Sequence, residues 1–460
     1  MIRIRHPDNF SAERAYIFDV IFREFLGLEY TAVSADTDVV SLSADGKTFC
    51  VADDFFQRCK NGWLDRRSLP TLPLSQWDTR ELANNICLVS PVIPVLYGRP
   101  GCHVSGSECH LGLDIFGSIF FMLSRYEEAI QSDRDKHDRF LFTASVAYRA
   151  KFLGRPIVDE YVEILWAAML RLWPGLKRKS RQSRMLVSCD VDHPYVCACD
   201  SVVVLVRELA SDLFKHGSLR MALQTLLRSM RMRPCDPSSD PYLKNIDWIM
   251  DVNEKAGNRV AFYFITANLH SFRDGHYSMD DPVIRDLLRR IAKRGHEVGL
   301  HASYNTYQDP AQTSREASVL RQVMATEGIQ QSMIGGRQHY LRWQPLITPS
   351  NLEAAGIDYD SSLCFADSPG FRCGTCHEYQ MYHLAERRPL KLRQRPLIVM
   401  ECSVIADRYL GMGYSEAALD LMKSYKSICY RFGGDFTLLW HNCHLMTEHD
   451  KRFYSALVAT

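Results

Sequence analysis

The segment at 185–194, MLVSCDVDHP, constrains this chain more than any other. An apolar run ends there in two carboxylates one residue apart, followed by His and Pro. Residues 185–188 read as a buried strand, and Pro194 cannot continue a ladder because it has no backbone N–H. The carboxylates therefore sit where a strand stops, and strand alternation points Asp190 and Asp192 to the same side. Two acids so placed need a cation, a shared proton or water. Later segments follow the same plan. Gly299-Leu300-His301, Arg337-Gln338-His339-Tyr340 and Leu438-Leu439-Trp440-His441 each set a histidine at or just after an apolar run.

At 460 residues the chain has room for more than one domain. Up to 176 the pattern is mixed α/β. A helix is expected at 11–27, with Ile17, Val20, Ile21 and Phe25 on one face. A hairpin is expected across Ala44-Asp45-Gly46-Lys47, and an edge strand with loop at 86–97. Asp114 can cap a helix reaching 128, and another helix fits 156–172. Residues 177–184 are polar and basic and read as a solvated linker. From 185 to 460 strand and helix patterns alternate. Strands are expected near 259–266, 296–301, 333–337, 357–359, 397–402 and 436–440. Helices lie between them, including one at 203–230 broken near Gly217. Repeated βα units imply a parallel sheet, open or closed into a barrel, with a site at the C-terminal strand ends. Those ends carry Asp190, Asp192, Thr266, His301, Arg337, Asp360 and His441.

Composition narrows the class. The net charge is +1, so no bulk field argues for nucleic acid. No run is apolar for the roughly 18 residues that a membrane span needs. The first residues lack an apolar export segment, so a cytoplasmic location with reduced thiols is expected. The 15 cysteines are scattered, and Cys373 with Cys376 reads as a pair of structural thiols. The basic positions Arg207, Arg220, Arg228, Arg231 and Arg233 read as a solvated helix face rather than a membrane contact. The oligomeric state is not encoded in any feature of this kind.

Carboxylate plus imidazole is a common ligand set for a divalent metal, zinc first, then manganese, cobalt or iron. Asp192 and His301 are the best two ligands, and Asn305, His339 and His193 are candidates for a third. One such histidine alone would read as an ordinary core or surface residue. Three at strand ends beside the Asp pair point to a site.

On these motifs the stretch from 185 to the C-terminus resembles the polysaccharide deacetylases of the chitooligosaccharide deacetylase type. In the subgroup it looks like, which is bacterial, an uncharacterised N-terminal domain precedes the deacetylase domain. The resemblance implies a distorted (β/α) barrel preceded by a smaller mixed α/β domain. It implies Asp190 as general base and Asp192 as metal ligand. Gly295-His296-Glu297-Val298-Gly299-Leu300-His301 matches the family's histidine motif and makes His301 a ligand. The family's second histidine is replaced by Asn305. His339 then moves in as third ligand, Asn305 ligates a harder ion, or the metal is lost. Arg337 and Tyr340 match the motif beside the base, Asp360 falls in the fourth motif, and His441 matches the acid. Arg372 on the loop at 370–375 and Trp440 are candidate sugar contacts, although a turn and core packing are the plainer readings. The implied reaction is hydrolysis of the acetamide of an N-acylated sugar or polysaccharide intermediate, within surface polysaccharide synthesis. Two rivals keep the same residues: a metal-independent C–N hydrolase, and a carbohydrate-binding module with a degenerate site.

Overall fold

The computed structural model describes residues 1–196, 239–270 and 273–459. The helix expected at 203–230 and the basic positions from Arg207 to Arg233 lie outside the described residues.

The first part contains β1 (Ile2–Pro7), β2 (Tyr30–Ala35), β3 (Val40–Ala44), β4 (Lys47–Val51), β5 (Ser75–Asp78), β6 (Val92–Val95), β7 (Gly98–Ser105) and β8 (Glu108–Leu113). All but β5 and β6 form one mixed sheet in the order β2-β1-β3-β4-β8-β7. The β3–β4 hairpin turns through Asp45 and Gly46, both at positive φ (49° and 71°), as a tight hairpin turn requires. The helix expected at 11–27 runs as Ser11–Phe18 and continues in wider π turns over Asp19–Leu26, until Gly27 ends it at φ 68°. Asp114 does cap a helix, Ile115–Leu123, by accepting the Gly117 N–H at 2.8 Å. That helix stops short of 128 because Arg125 turns to φ 55°, and Tyr126–Ile130 follows as a separate turn. The break aims the buried Arg125 guanidinium at Glu127 and Glu128.

The second part contains β9 (Arg184–Val191), β10 (Val260–Phe264), β11 (Glu297–Ala302), β12 (Gly335–Gln338), β13 (Tyr359–Asp360), β14 (Tyr379–His383), β15 (Arg388–Gln394), β16 (Val399–Met400) and β17 (Asp435–Leu439). They form one sheet in the order β14-β15-β13-β12-β11-β10-β9-β17-β16. Every neighbouring pair is parallel except β14–β15. The central strands β10 and β17 are buried at every residue, as expected for strands covered on both faces. Helices Pro241–Lys255, Pro282–Lys293 and Pro310–Thr326 each open on an Asp-Pro pair. Asp240, Asp281 and Asp309 accept first-turn N–H groups, and proline fits the position that needs no donor. Among the described residues the end strands β14 and β16 do not pair, so the expected distorted barrel is a curled half-barrel, not a closed one.

The β14–β15 hairpin is not among the expected elements, although Leu390 and Leu392 alternate with lysine and arginine as in a half-buried strand. Its partner is the N-terminal part: Tyr16 Oη donates to the Gln380 carbonyl at 2.7 Å and Tyr382 Oη to Glu13 at 2.9 Å. One hydrophobic core runs through both parts. Residues 177–184 are mostly exposed but are not a free linker. Arg181 donates to the Glu24 carbonyl at 2.7 Å, and its guanidinium lies 4.9 Å from the centre of the Phe25 ring. Arg184 pairs with Asp435 at 2.6 Å. No helix among the described residues is long and apolar enough to cross a membrane.

Candidate active site

Parallel pairing aligns the strand ends. Asp190 on β9 lies in register with Tyr263 on β10, and His301 on β11 with Arg337 on β12. Asp192 and His339 follow immediately after β9 and β12, and His441 two residues after the end of β17. Asp190, Asp192, His301, Arg337, His339 and His441, from four strand ends, thus meet at one end of the sheet.

Asp190 is 3 % exposed and accepts the Arg337 Nη1–H at 2.6 Å. The Arg337 guanidinium is fully buried and held on every side. It donates to the Ser361 carbonyl (2.8 Å), Ser188 Oγ (2.9 Å) and Ser361 Oγ (3.0 Å), and lies 4.8 Å from the centre of the Tyr263 ring. This frame keeps a permanent positive charge against Asp190 and fixes the position of its Oδ1.

Asp192, His301 and His339 bring one ligand atom each to within 4.8 Å of one another. His301 Nε2 is 3.2 Å and His339 Nε2 3.6 Å from Asp192 Oδ1. The far nitrogens of both rings are committed. His301 Nδ1 is 3.0 Å from the Arg337 carbonyl, which can only accept, so Nδ1 carries a proton. His339 Nδ1 donates to Asp274 Oδ1 at 3.1 Å. Both Nε2 atoms are therefore turned toward Asp192 as ligand atoms, the arrangement in which an outer hydrogen bond sets the tautomer. Asp192 Oδ1 is buried and has no hydrogen-bond partner. Burial opposes its ionisation, yet the facing His339 and His301 hold the carboxyl well below the usual range. An orphaned carboxylate oxygen between two oriented imidazole nitrogens fits a divalent cation of the zinc, manganese, cobalt or iron group.

Asp274 is missing from the sequence reading. It accepts from His339, from the Tyr304 N–H at 2.8 Å and from the His270 N–H at 2.9 Å. Its loop can approach because the next residue is Gly275, where a Cβ would lie 2.3 Å from the Asp192 carbonyl oxygen. Nothing local marks this Asp, since it follows no apolar run. Glu401 was also missed, although it follows the apolar run into β16 and the strand-end rule applies to it. It is fully buried and accepts from His441 Nδ1 at 2.5 Å and His441 N at 2.9 Å. His441 Nε2 then faces Asp192 Oδ2 at 3.7 Å. Burial would lower the imidazole pKa, but Glu401 raises it well above the ordinary value.

Other expected residues stand elsewhere. Asn305 is exposed, and its Oδ1 accepts from Arg342 at 3.3 Å, outside the Asp192 group. His193 is exposed beside Asp192. Tyr340 sits at φ 61° and packs its ring 4.8 Å from that of His339, at the rim. Asp360 is buried beneath the site, accepting from the Ser362 N–H (2.9 Å) and Trp343 Nε1 (3.1 Å), so it supports the floor and cannot touch a sugar. Trp440 is fully buried against Tyr454 and Phe453, so core packing replaces the expected sugar contact. Arg372 is buried too, because Glu128 of the N-terminal part neutralises it through two hydrogen bonds. Cys373 and Cys376 are buried, with Cys376 Sγ 3.1 Å from Asp159. The N-terminal part also reaches the rim: His137 Nδ1 is 3.0 Å from Tyr304 Oη, and Tyr307 Oη donates to Asp138 at 2.6 Å.

Residues 2–174 match a family of unknown function, DUF7033. No curated protein matches the chain. Among solved structures, a provisionally assigned polysaccharide deacetylase from Mycobacterium smegmatis is similar at 13 % identity and TM-score 0.38, covering 61 % of this chain and 84 % of the other. An allantoinase gives 13 % and 0.38, covering 62 % and 85 %. A provisionally assigned polysaccharide deacetylase involved in O-antigen biosynthesis, from Bordetella bronchiseptica, gives 13 % and 0.28, covering 60 % and 79 %.

Proposed function

We propose that this chain is a metal-dependent hydrolase that removes an acetyl, or another acyl, group from an N-acylated sugar. The observation that carries the reading is the buried, unpartnered Asp192 Oδ1 between His301 Nε2 and His339 Nε2, with Asp190–Arg337 on one side and His441 on the other. Asp192, His301 and His339 would hold a divalent ion, which would supply Lewis acidity for attack by water at neutral pH. Asp190, held in place by the Arg337 hydrogen bond, takes the proton of the attacking water. His441 presents Nε2 to the leaving nitrogen and protonates it, because an amine anion does not depart. Glu401 fixes that ring by holding Nδ1. Tyr340 offers a ring at the rim where a pyranose can stack.

The proposal assigns the chemistry to 185–460, treats 1–176 as a companion domain joined through 177–184, and places the substrate among cytoplasmic intermediates of surface polysaccharide synthesis. A direct test is acetate release from N-acetylglucosamine oligomers and from nucleotide-linked N-acetyl sugars, using metal-loaded full-length protein. Release that disappears in Asp190→Asn, while that variant still binds metal, supports the proposal. No release from any of them by fully loaded protein overturns it.

A second reading has one observation in its favour. His339 lies between Asp274 (3.1 Å) and Asp192 (3.6 Å), and although burial disfavours its charge, Asp192 raises its pKa to about 9. An imidazolium could satisfy this pair in a C–N hydrolase that works without metal. Stoichiometric metal in the native protein excludes that reading.

A further inference from the structure

A second convergence of ligand atoms lies on the far side of His441. Glu401 and Cys402 open the helix Glu401–Ile405 directly after β16, while His441 and His444 belong to the turn directly after β17. The parallel pairing of Val399 with Leu438 and Met400 with Leu439 makes both segments leave the sheet at one level. The four side chains each bring a ligand atom to within 4.8 Å of the others.

Hydrogen bonding does not account for this crowding. Glu401 Oε1 takes His441 Nδ1 at 2.5 Å, the His441 N–H at 2.9 Å and His444 Nδ1 at 2.9 Å. Its other oxygen, Oε2, is buried with no partner at all, on a side chain with no exposure. His444 Nδ1 also faces Cys402 Sγ at 3.5 Å, so its one N–H is at best divided between oxygen and sulfur. Cys402 Sγ is 3.8 Å from Glu401 Oε1. Two imidazole nitrogens, a carboxylate and a thiol form a donor set typical of four-coordinate zinc. With bonds of roughly 2.0–2.3 Å, the edges of such a tetrahedron run from about 3.3 to 3.8 Å. The two sulfur distances fall in that range. The two Glu–His distances are shorter, and an ion would part those groups by less than about 1 Å.

We propose that Glu401, Cys402, His441 and His444 form a second binding site, for a thiophilic divalent cation of the zinc class. The site is separate from the Asp192 group and stands whether or not that group is catalytic. Ligation through His441 Nδ1 leaves the ring proton on Nε2, facing Asp192, so the second ion acts as a positioning device for that histidine.

The Asp192 group contains no sulfur, so cobalt distinguishes the two sites. Full-length protein is stripped of metal and titrated with Co²⁺, and the near-ultraviolet absorption of thiolate-to-cobalt charge transfer is recorded. The band is expected in wild type, to saturate within two equivalents, to persist in Asp192→Ala with saturation at one, and to vanish in Cys402→Ser. His444→Gln, at a partly exposed position, is expected to weaken binding measured by the same band. Circular dichroism identifies any variant that fails to fold. Absence of the band in saturated wild type, or its survival in folded Cys402→Ser, overturns the proposal. A band in wild type with no acetate release would refute the proposed reaction and leave this site standing.

Discussion

Replacing Arg372 by Ala tests how the two parts of the chain are held together. Arg372 donates to Glu128 Oε1 (2.9 Å) and Oε2 (2.6 Å) and to the Cys364 carbonyl (2.8 Å), and its side chain and that of Glu128 are 2 % and 0 % exposed. Burial would raise the Glu128 carboxyl, but Arg372 first and Arg125 second bring it from 4.5 down to about 2. That drop corresponds to about 3 kcal/mol. Removing one partner of a buried pair costs about 3–5 kcal/mol, because the other charge loses compensation, which for Glu128 leaves only Arg125. Arg372→Ala is therefore expected to lose about 3–5 kcal/mol in urea unfolding at pH 7. Arg372→Met with Glu128→Leu should recover only part of the loss, since the buried Arg125 then keeps Glu127 alone as its carboxylate partner. The sign of the pH dependence follows from the depressed carboxyl. Its contribution is complete above 4.5 and is lost as the pH falls toward about 2. The stability gap between wild type and Arg372→Ala should accordingly shrink across that window. A loss below about 1 kcal/mol, or a gap that does not change between pH 6 and pH 3, would refute the reasoning. A raised KM with unchanged stability would restore Arg372 as a substrate contact.

Other expectations concern the site. Asp190→Asn should lower kcat about 10²- to 10⁴-fold with metal content unchanged, as loss of a general base does; metal analysis beside steady-state kinetics checks both halves. Asp274→Asn, which alters the hydrogen bond orienting His339, should weaken metal binding about 10- to 100-fold in a competition titration. Gly275→Ala should reduce metal affinity although the residue touches no ligand atom, because its Cβ would meet the Asp192 carbonyl oxygen and no rotamer relieves the clash; unchanged affinity would show that the loop can shift freely.

Strand ends and their chemistry could be read from the sequence because both are local. An apolar run that stops at Asp, His or Arg identifies Asp190, Asp192, His301, Arg337 and His441 without knowledge of the fold. Parallel βα order then places them at one end of a sheet. The helices opening on Asp-Pro were equally local, since capping depends on adjacent residues. Which of these side chains would meet was a different question. His339, Asn305 and His193 were all admissible as a third ligand, and only packing brings His339 Nε2 toward Asp192 and turns Asn305 outward onto Arg342. Asp274 carries no local signal, because its contact with His339 depends on a loop returning across the strand ends at Gly275. Arg372 and Trp440 looked like surface contacts, since a sequence does not show whether a guanidinium has a buried carboxylate waiting 244 positions away or an indole has two rings beside it. Sequence alone determined which groups stand at the ends of buried strands. Tertiary structure decided which of them face one another, because strand register and loop return set distances that no local pattern encodes.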